Sequence, residues 1–324
     1  MSSIVAAVDV GGTSMKGALV DGRSRIVHEA RRVTPREDGP DAVIDAIAGL
    51  LGELVADAAA RGTRAVAAGV VVPGIVDEAA GWTRFSANLG WRELPLAAML
   101  AERAGVPVAL GHDVRAGGLA ELRLGAGTGV RGMLFLPLGY GIAGAIVADG
   151  RPVSAGGFAG ELGHLCVEPD GAVCGCGARG CLETVASGSA IGRRYAVRAG
   201  VAAASAREVA DLVAAGDPLA IAVWDEAVAA LASVIATAAT ILAPERVVIG
   251  GGVSLAGDRL FVPLRAAVPP RMTPFLRVPD IVPARLGDRA GCLGAAIMAQ
   301  EFVSPEASST SHAGSARPAP SGGS

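Results

Sequence analysis

Three cysteines crowd into eight residues, Cys174-Gly175-Cys176-Gly177-Ala178-Arg179-Gly180-Cys181, and His164 stands shortly before them. Three thiolates and one imidazole are the donor set of a closed, tetrahedral structural zinc site. The interleaved glycines let the chain bend tightly around a single ion. Three free thiols in so glycine-rich a loop would leave it with little else to hold it. The chain has five cysteines in all. Their clustering fits metal binding in a reducing compartment better than disulfides. Cys166 and Cys292 fall outside the spacing and read as small core residues.

The cluster has acidic neighbours. In Glu161-Leu162-Gly163-His164 a spacing of three places Glu161 and His164 on one helical face. Glu183 follows Cys181 by two residues. An ion held at His164 and Cys181 therefore anchors two carboxylates beside a rigid site. A solvated surface charge is the usual reading for either Glu, but it is weaker where both flank a metal.

Glycine-rich turns follow apolar strands at three further places. Residues 4–10 are an apolar run that leads into Asp9-Val10-Gly11-Gly12-Thr13-Ser14-Met15-Lys16-Gly17. Glycines let backbone N–H groups approach an anion, and Thr13 adds a donor. Asp9 is placed to sit near a phosphate-held Mg²⁺. A plain hairpin turn reads equally well from this motif alone. Leu138-Gly139-Tyr140-Gly141-Ile142-Ala143-Gly144 is a second such turn, and the pair looks like two loops closing on one phosphate chain. Gly250-Gly251-Gly252 follows a buried strand; glycine there admits a flat base or ribose, although alone it reads as a tight turn. His112 and Asp113 end another strand. A carboxylate at that position can take a proton from an attacking hydroxyl. Position alone favours Asp113 as a helix N-cap.

Strands are expected at 4–10, 17–20, 26–33, 65–72, 106–111, 132–138, 142–148 and 246–249. Apolar residues at helical spacing mark helices at 40–61, 94–104, 114–124, 205–215, 218–242 and 289–302. Strand–glycine turn–strand patterns open both halves, which reads as an internal duplication: two similar α/β lobes with a cleft between. Of 324 residues 51% are apolar and only 3% aromatic, so two cores must be built from Ala, Val, Leu and Ile. The formal charge is −3 and no Lys/Arg-rich run is present. Nucleic-acid binding needs such a run. No apolar stretch has the length and purity expected of a membrane span, and no secretory leader opens the chain, so a cytoplasmic protein is expected. Residues 304–324 are Ser, Pro, Ala and Gly without periodicity, the composition of a disordered tail.

Together these motifs resemble the ROK family, the bacterial group of sugar kinases and sugar-responsive repressors, over residues 4–302. The segment from Glu161 to Glu183 carries most of the likeness, through its E-x-G-H and C-x-C-G-x-x-G-C-x-E pattern. The D-x-G-G-T turn from Asp9 to Thr13 is shared with the wider actin/hexokinase superfamily. The resemblance implies an α/β, two-lobed actin-like/ribonuclease H-like ATPase fold with a cleft between lobes. Residues 1–112 with 289–303 would form the small lobe, and 113–288 the large lobe with the zinc loop. It implies ATP-dependent phosphorylation of a hexose at the 6-hydroxyl, glucose first, with N-acetylglucosamine or N-acetylmannosamine as alternatives. Asp113 is then the general base. Asn88, His112, Asp113, Glu161, His164 and Glu183 would bind sugar. Asp9, Gly11, Gly12, Thr13 and Lys16, with Gly139, Tyr140, Gly141 and Gly250 to Gly252, would bind the nucleotide. His164, Cys174, Cys176 and Cys181 would hold structural Zn²⁺, and ATP and Mg²⁺ complete the expected cofactors. A homodimer or homotetramer is expected, with no nucleic-acid or membrane partner.

Two residues depart from the family pattern. His112 stands where Asn usually precedes the catalytic Asp, and Tyr140 replaces the usual Thr of the second phosphate turn. They are the support for a rival reading, a sugar sensor that binds without turnover. A ROK-type repressor is disfavoured, because Asp9 leaves no room ahead of it for a DNA-binding domain.

Overall fold

The computed structural model describes residues 4–304. The tail expected at 304–324 lies, from residue 305, outside the described residues, as does the chain before Ile4. β1 (Ile4–Val10), β2 (Ser14–Val20) and β3 (Ile26–Val33) form an antiparallel meander. α1 (Pro40–Ala60) opens on a proline, whose missing N–H costs nothing in the first helical turn. β4 (Ala65–Val72) returns parallel to β1. β5 (Ile75–Asp77), β6 (Trp82–Ser86) and β7 (Trp91–Leu94) make a small side sheet. Trp91 ties it to α1 by donating from Nε1 to the Pro40 carbonyl at 3.1 Å. α2 (Leu96–Ala104) leads into β8 (Val108–His112), parallel to β4, and α3 (Asp113–Leu124) follows at once.

The second half repeats this plan. β9 (Met133–Pro137), β10 (Ala145–Ala148) and β11 (Arg151–Pro152) pair antiparallel. The cysteine loop, α4 (Glu183–Ala186), α5 (Gly188–Ala199), α6 (Ala206–Ala214) and α7 (Pro218–Leu242) come next. β12 (Arg246–Gly250) is parallel to β9. α8 (Gly251–Ser254) and α9 (Asp258–Ala267) lead to β13 (Asp280–Pro283), parallel to β12, and α10 (Ala290–Val303) closes the chain. The sheets read β3-β2-β1-β4-β8 and β11-β10-β9-β12-β13. Order and strand direction match position by position, so the internal duplication is a property of the fold.

The central strands β1 and β4 are almost wholly buried, as strands covered on both faces must be. α1 covers one face with Val43, Ile47, Leu50, Leu51 and Leu54. The C-terminal α10 crosses back to cover the other. It lies so close that a Cβ on Gly69 would run into the Ala295 carbonyl, and one on Gly294 into that of Ala116. Small residues thus let α10 touch both the sheet and α3. The second core is larger and gathers around α7 through Val223, Trp224, Leu231 and Ile235.

Some expectations are corrected. α7 is, by length and composition, long and apolar enough to cross a membrane, contrary to the sequence reading. Its alanines raise the hydropathy; Val223, Trp224, Leu231 and Ile235 face the second core, while Leu219, Ile221, Ile241 and Leu242 near its ends are exposed. β10 begins only at Ala145, because residues up to Gly144 belong to the glycine turn. The side sheet, α5, α9 and β13 were not expected. The side sheet's strands have five residues or fewer, too short for a visible period.

Candidate active site

β1, β4 and β8 run in one direction with Asp9 opposite Val71 and Val71 opposite Gly111. Asp9, the Pro73-Gly74 turn and the His112–Asp113 pair therefore leave the first sheet on one edge, where open α/β sheets bind ligands. In the second sheet Gly250 pairs with Pro137, so turns 139–141 and 250–252 also share an edge. They are stitched together by Leu138 N–H to the Gly250 carbonyl at 2.9 Å and Val253 N–H to the Leu138 carbonyl at 3.1 Å. Gly251 has φ +76, and a Cβ there would strike Leu138, so the turn requires glycine.

Asp113 occupies the first position of α3, but the cap is His112. Its Nδ1 accepts from the Arg115 N–H at 3.3 Å. The N-cap reading of Asp113 is therefore corrected by one residue: β8 ends in extended backbone at His112, and the helix has already begun at Asp113. A ring nitrogen that accepts cannot carry the proton, so in neutral imidazole Nε2 carries it. Nε2 lies 3.4 Å from Asp113 Oδ1. Burial, and then the Arg115 charge, push the His112 pKa down to about 4, while Glu161 and Glu78 pull it up. His112 is thus a neutral donor facing Asp113 at physiological pH. Burial holds the Asp113 carboxyl above the ordinary carboxylate range, opposed by the Val114 N–H at 2.7 Å and by Arg115.

Asp9 is the other half-buried carboxylate on this edge. Its pKa is pushed up to about 6, chiefly by burial; Lys16 opposes the shift, and the charges of Asp113 and Asp288 add to it. The effect of the Asp113 charge on Asp9 places both acids in one electrostatic neighbourhood. Lys16 Nζ sits 3.7 Å from Asp9 and bonds Asp288 Oδ1 at 2.5 Å, and Arg31 also pairs with Asp288. Gly291 makes room, since a Cβ there would occupy the Asp9 carboxylate. Linkage gives a test. The native state holds the Asp9 proton up to about pH 6, whereas an ordinary carboxyl releases it near 3.8. Native stability therefore falls as pH rises between these values, by roughly 3 kcal/mol for two units. Asp9→Asn is expected to raise stability by about 2–3 kcal/mol at pH 7.5, a gain that vanishes by about pH 4. Urea unfolding at both pH values checks this; an equal gain at both would show that burial of the charge is not the cause.

The first glycine turn is held by Gly11 N–H to the Ser14 carbonyl at 3.0 Å and by Thr34 Oγ1 to the Gly11 carbonyl at 2.7 Å. Gly12 lies beside it, and Thr13 is exposed. In the second turn Tyr140 is 91% exposed. Its carbonyl accepts from Ser189 Oγ at 2.7 Å, and Gly139 receives the Gly188 N–H at 2.8 Å. The tyrosine ring thus stands out from a turn pinned on its backbone side.

The four expected metal ligands converge. One donor atom from each of His164, Cys174, Cys176 and Cys181 lies within 4.8 Å of the others. His164 Nδ1 is 3.7 Å from Cys174 Sγ, and Cys176 Sγ is 3.7 Å from Cys181 Sγ. A tetrahedron of sulfurs at the usual Zn–S length has edges of about 3.8 Å. The donor set and its spacing therefore fit zinc. Burial pushes the Cys181 thiol up to about 12, while the Ala178 backbone N–H holds Cys176 low. The loop returns on itself through Cys174 N–H to the Ala178 carbonyl at 2.8 Å and Leu182 N–H to the Leu165 carbonyl at 2.8 Å. Of the two other cysteines, Cys292 is buried as expected and Cys166 is exposed, a correction. The Cys166 backbone pairs with that of Cys181 in an isolated antiparallel β-bridge, and both thiols are free.

Glu161 and His164 do share a face, but of a 3-10 turn, with 3.8 Å between Oε2 and Nε2. Glu183 opens α4, where its Oε2 accepts the Ile142 N–H at 2.9 Å and its Oε1 lies 3.9 Å from Cys174 Sγ. It joins the metal loop to the second glycine turn. Asn88 is exposed in the turn between β6 and β7, beside a 440 Å³ cavity lined by Asp41, Ser86, Ala87 and Trp91. A cavity of 600 Å³ is lined instead by β3 and by Arg285, Leu286, Arg289 and Leu293 at and before the start of α10, and contains none of these residues.

Sequence reasoning missed Glu78, Arg115 and Asp288. Arg115 is 2% exposed, a rare state for arginine, and only its place one turn into α3 hinted at a role.

A family model described as "ROK family" matches residues 5–302. The chain is 38% identical to a glucokinase of Thermotoga maritima over 91% of its own length and 97% of the relative's. It is similar to a solved ROK hexokinase from Thermus thermophilus, with 35% identity, a TM-score of 0.81 and coverage of 93% and 99%. It is also similar to a ROK family glucokinase from Streptomyces griseus solved with glucose and AMPPNP, with 30% identity, a TM-score of 0.79 and coverage of 92% and 100%.

Proposed function

The chain belongs to the ROK family, and on that premise we propose that it phosphorylates a hexose, glucose foremost, at the 6-hydroxyl with ATP as donor. The observation that carries this is the pair of half-buried carboxylates, Asp9 and Asp113, on one sheet edge and close enough for the Asp113 charge to raise the Asp9 pKa. One stands at a phosphate-type glycine turn, the other at the start of a helix beside a neutral histidine donor. Phosphoryl transfer asks little covalent work of a protein; it needs an oriented hydroxyl, a base and clamps for phosphate.

Asp113 is the general base. It takes the 6-hydroxyl proton as the sugar oxygen bonds phosphorus and the bond to the ADP oxygen breaks. His112 Nε2–H steadies the ionised form. Its Nδ1 caps the helix as an Asn carbonyl would, and its Nε2–H donates as an Asn amide would, so the departure from Asn preserves both roles. Glu161, His164, Glu183 and Asn88 bind sugar hydroxyls, and an epimer that leaves one of these groups unpaired is rejected. Glycines 11, 12, 139 and 141, with Thr13 and Lys16, hold phosphates. Tyr140 borders that channel, and Gly250 to Gly252 face the adenosine. Mg²⁺, when bound with ATP, neutralises phosphate charge near Asp9. Zinc, when bound at His164, Cys174, Cys176 and Cys181, fixes the segment that carries Glu161 and Glu183. The lobes are 1–112 with 289–303, and 113–288, assembled as a homodimer or homotetramer.

ADP release from Mg-ATP with glucose, mannose, N-acetylglucosamine and N-acetylmannosamine tests the reading. Turnover is expected with glucose at the highest kcat/KM. Saturable sugar binding without ADP release would favour the sensor. Higher efficiency with an N-acetyl sugar would move the substrate while leaving the chemistry in place.

A further inference from the structure

Glu78 Oε1 accepts two hydrogen bonds, from the His112 backbone N–H at 3.3 Å and from Arg115 Nε at 2.9 Å. Those donors flank Asp113 on either side. The rest of the Arg115 guanidinium is spent on two carbonyls from different parts of the chain. Nη2 donates to Val76 in β5 at 3.0 Å, and Nη1 to Gly157 in the loop after β11 at 3.3 Å. The first belongs to the half of the chain that holds the Asp9 turn, the second to the half that holds the metal loop. A buried guanidinium with all three nitrogens paired is costly to assemble and to break. A helix start needs no such device, because His112 already caps it. The fork is also the group that arginine supplies and lysine cannot.

We propose that Arg115, locked by Glu78, is a positioning residue for phosphoryl transfer: it holds Asp113 in register between the two halves of the site and sets the charge that the base feels. This rests on the reading of Asp113 as base. The groups that face Asp113 are His112 from β8, Arg115 from its own helix and Asp9 from β1. Arg115 favours the ionised carboxylate and opposes a proton on His112. Glu78 and Glu161 act on His112 in the other direction.

The test is the pH profile of kcat/KM for the sugar in the intact enzyme, with Arg115→Met, Arg115→Lys and Glu78→Gln beside Asp113→Asn. Arg115→Met is expected to lower kcat by about 100-fold, the scale of a misplaced catalytic group. Its acid limb should move up by about one unit, because a cation near the base is gone. Arg115→Lys keeps the charge and loses the fork, so kcat falls while the limb stays near the wild-type position. Glu78→Gln keeps the acceptor oxygen and removes the balancing charge, so the limb moves down. That variant preserves the hydrogen bonds and carries the test should Arg115→Met fail to fold. Lower activity with every acid limb unmoved would overturn the proposal and leave Arg115 a structural residue. Turnover retained in Asp113→Asn would instead remove the base itself, whatever the Arg115 variants do.

Discussion

Asp113→Asn is expected to lower kcat by about 10²–10⁴-fold, the usual weight of a positioned base, while changing the sugar dissociation constant only a few-fold. The amide keeps the shape of the carboxylate. Its oxygen can still accept the Val114 N–H that now lies at 2.7 Å and the His112 Nε2–H that faces Asp113 at 3.4 Å. Helix α3 keeps its cap, because that cap is His112. What the amide cannot do is take a proton. Removing the charge also relieves Asp9, whose carboxyl is raised in part by Asp113, so the variant should unfold no more readily than the parent. Calorimetric sugar binding and ADP release, measured on one preparation, separate the two effects. Turnover within a few-fold of the parent would show that another group, or water, takes the proton.

How much of this was legible beforehand depended on distance along the chain. β1, β4 and α7 carry long apolar runs or a 25-residue helical pattern, and their bounds were read correctly. The metal ligands lie within eighteen residues and share one chemistry, so spacing alone brought them together. The duplication was visible as glycine turns recurring after strands, but the identical strand order was not, because strand pairing is non-local. Glu78 and Arg115 are 37 residues apart, and neither belongs to a motif. An acidic residue in a turn and an arginine on a helix are usually solvated, and only the carbonyls of Val76 and Gly157, brought in from elsewhere in the chain, let Arg115 be buried beside a half-buried Glu78. Cys166 failed for a related reason: its apolar character favours burial, but in the metal loop it is Cys174 and Cys181 that turn inward, and Cys166 stays exposed. His112 shows the opposite case. It looked like a departure from the family, yet one ring nitrogen accepts the Arg115 N–H and the other faces Asp113.

Cys176→Ser is expected to lose the metal altogether and to weaken sugar binding by at least about tenfold. Cys176 is the thiol to choose because it is exposed, whereas Cys174 and Cys181 are buried, so the change removes a ligand without opening a core. The loop has few other supports: short backbone hydrogen bonds and isolated backbone β-bridges between Cys166 and Cys181 and between Val173 and Arg179. Without an ion, the three remaining donors no longer define one geometry, and metal binding energy that was folding energy for the loop is lost. The damage should reach both partners of the reaction. His164 carries with it Glu161, the proposed sugar ligand. Glu183, beside Cys174 Sγ, holds the Ile142 N–H of the second glycine turn, so ATP affinity should fall as well, though less. Metal content per chain, sugar and ATP dissociation constants, and thermal unfolding read these consequences separately. A metal-free variant with parental affinity for both ligands would mean that the backbone bonds alone hold Glu161 and Glu183. Loss of sugar affinity with ATP affinity untouched would confine the metal's reach to the sugar side and leave the Glu183–Ile142 bond self-supporting.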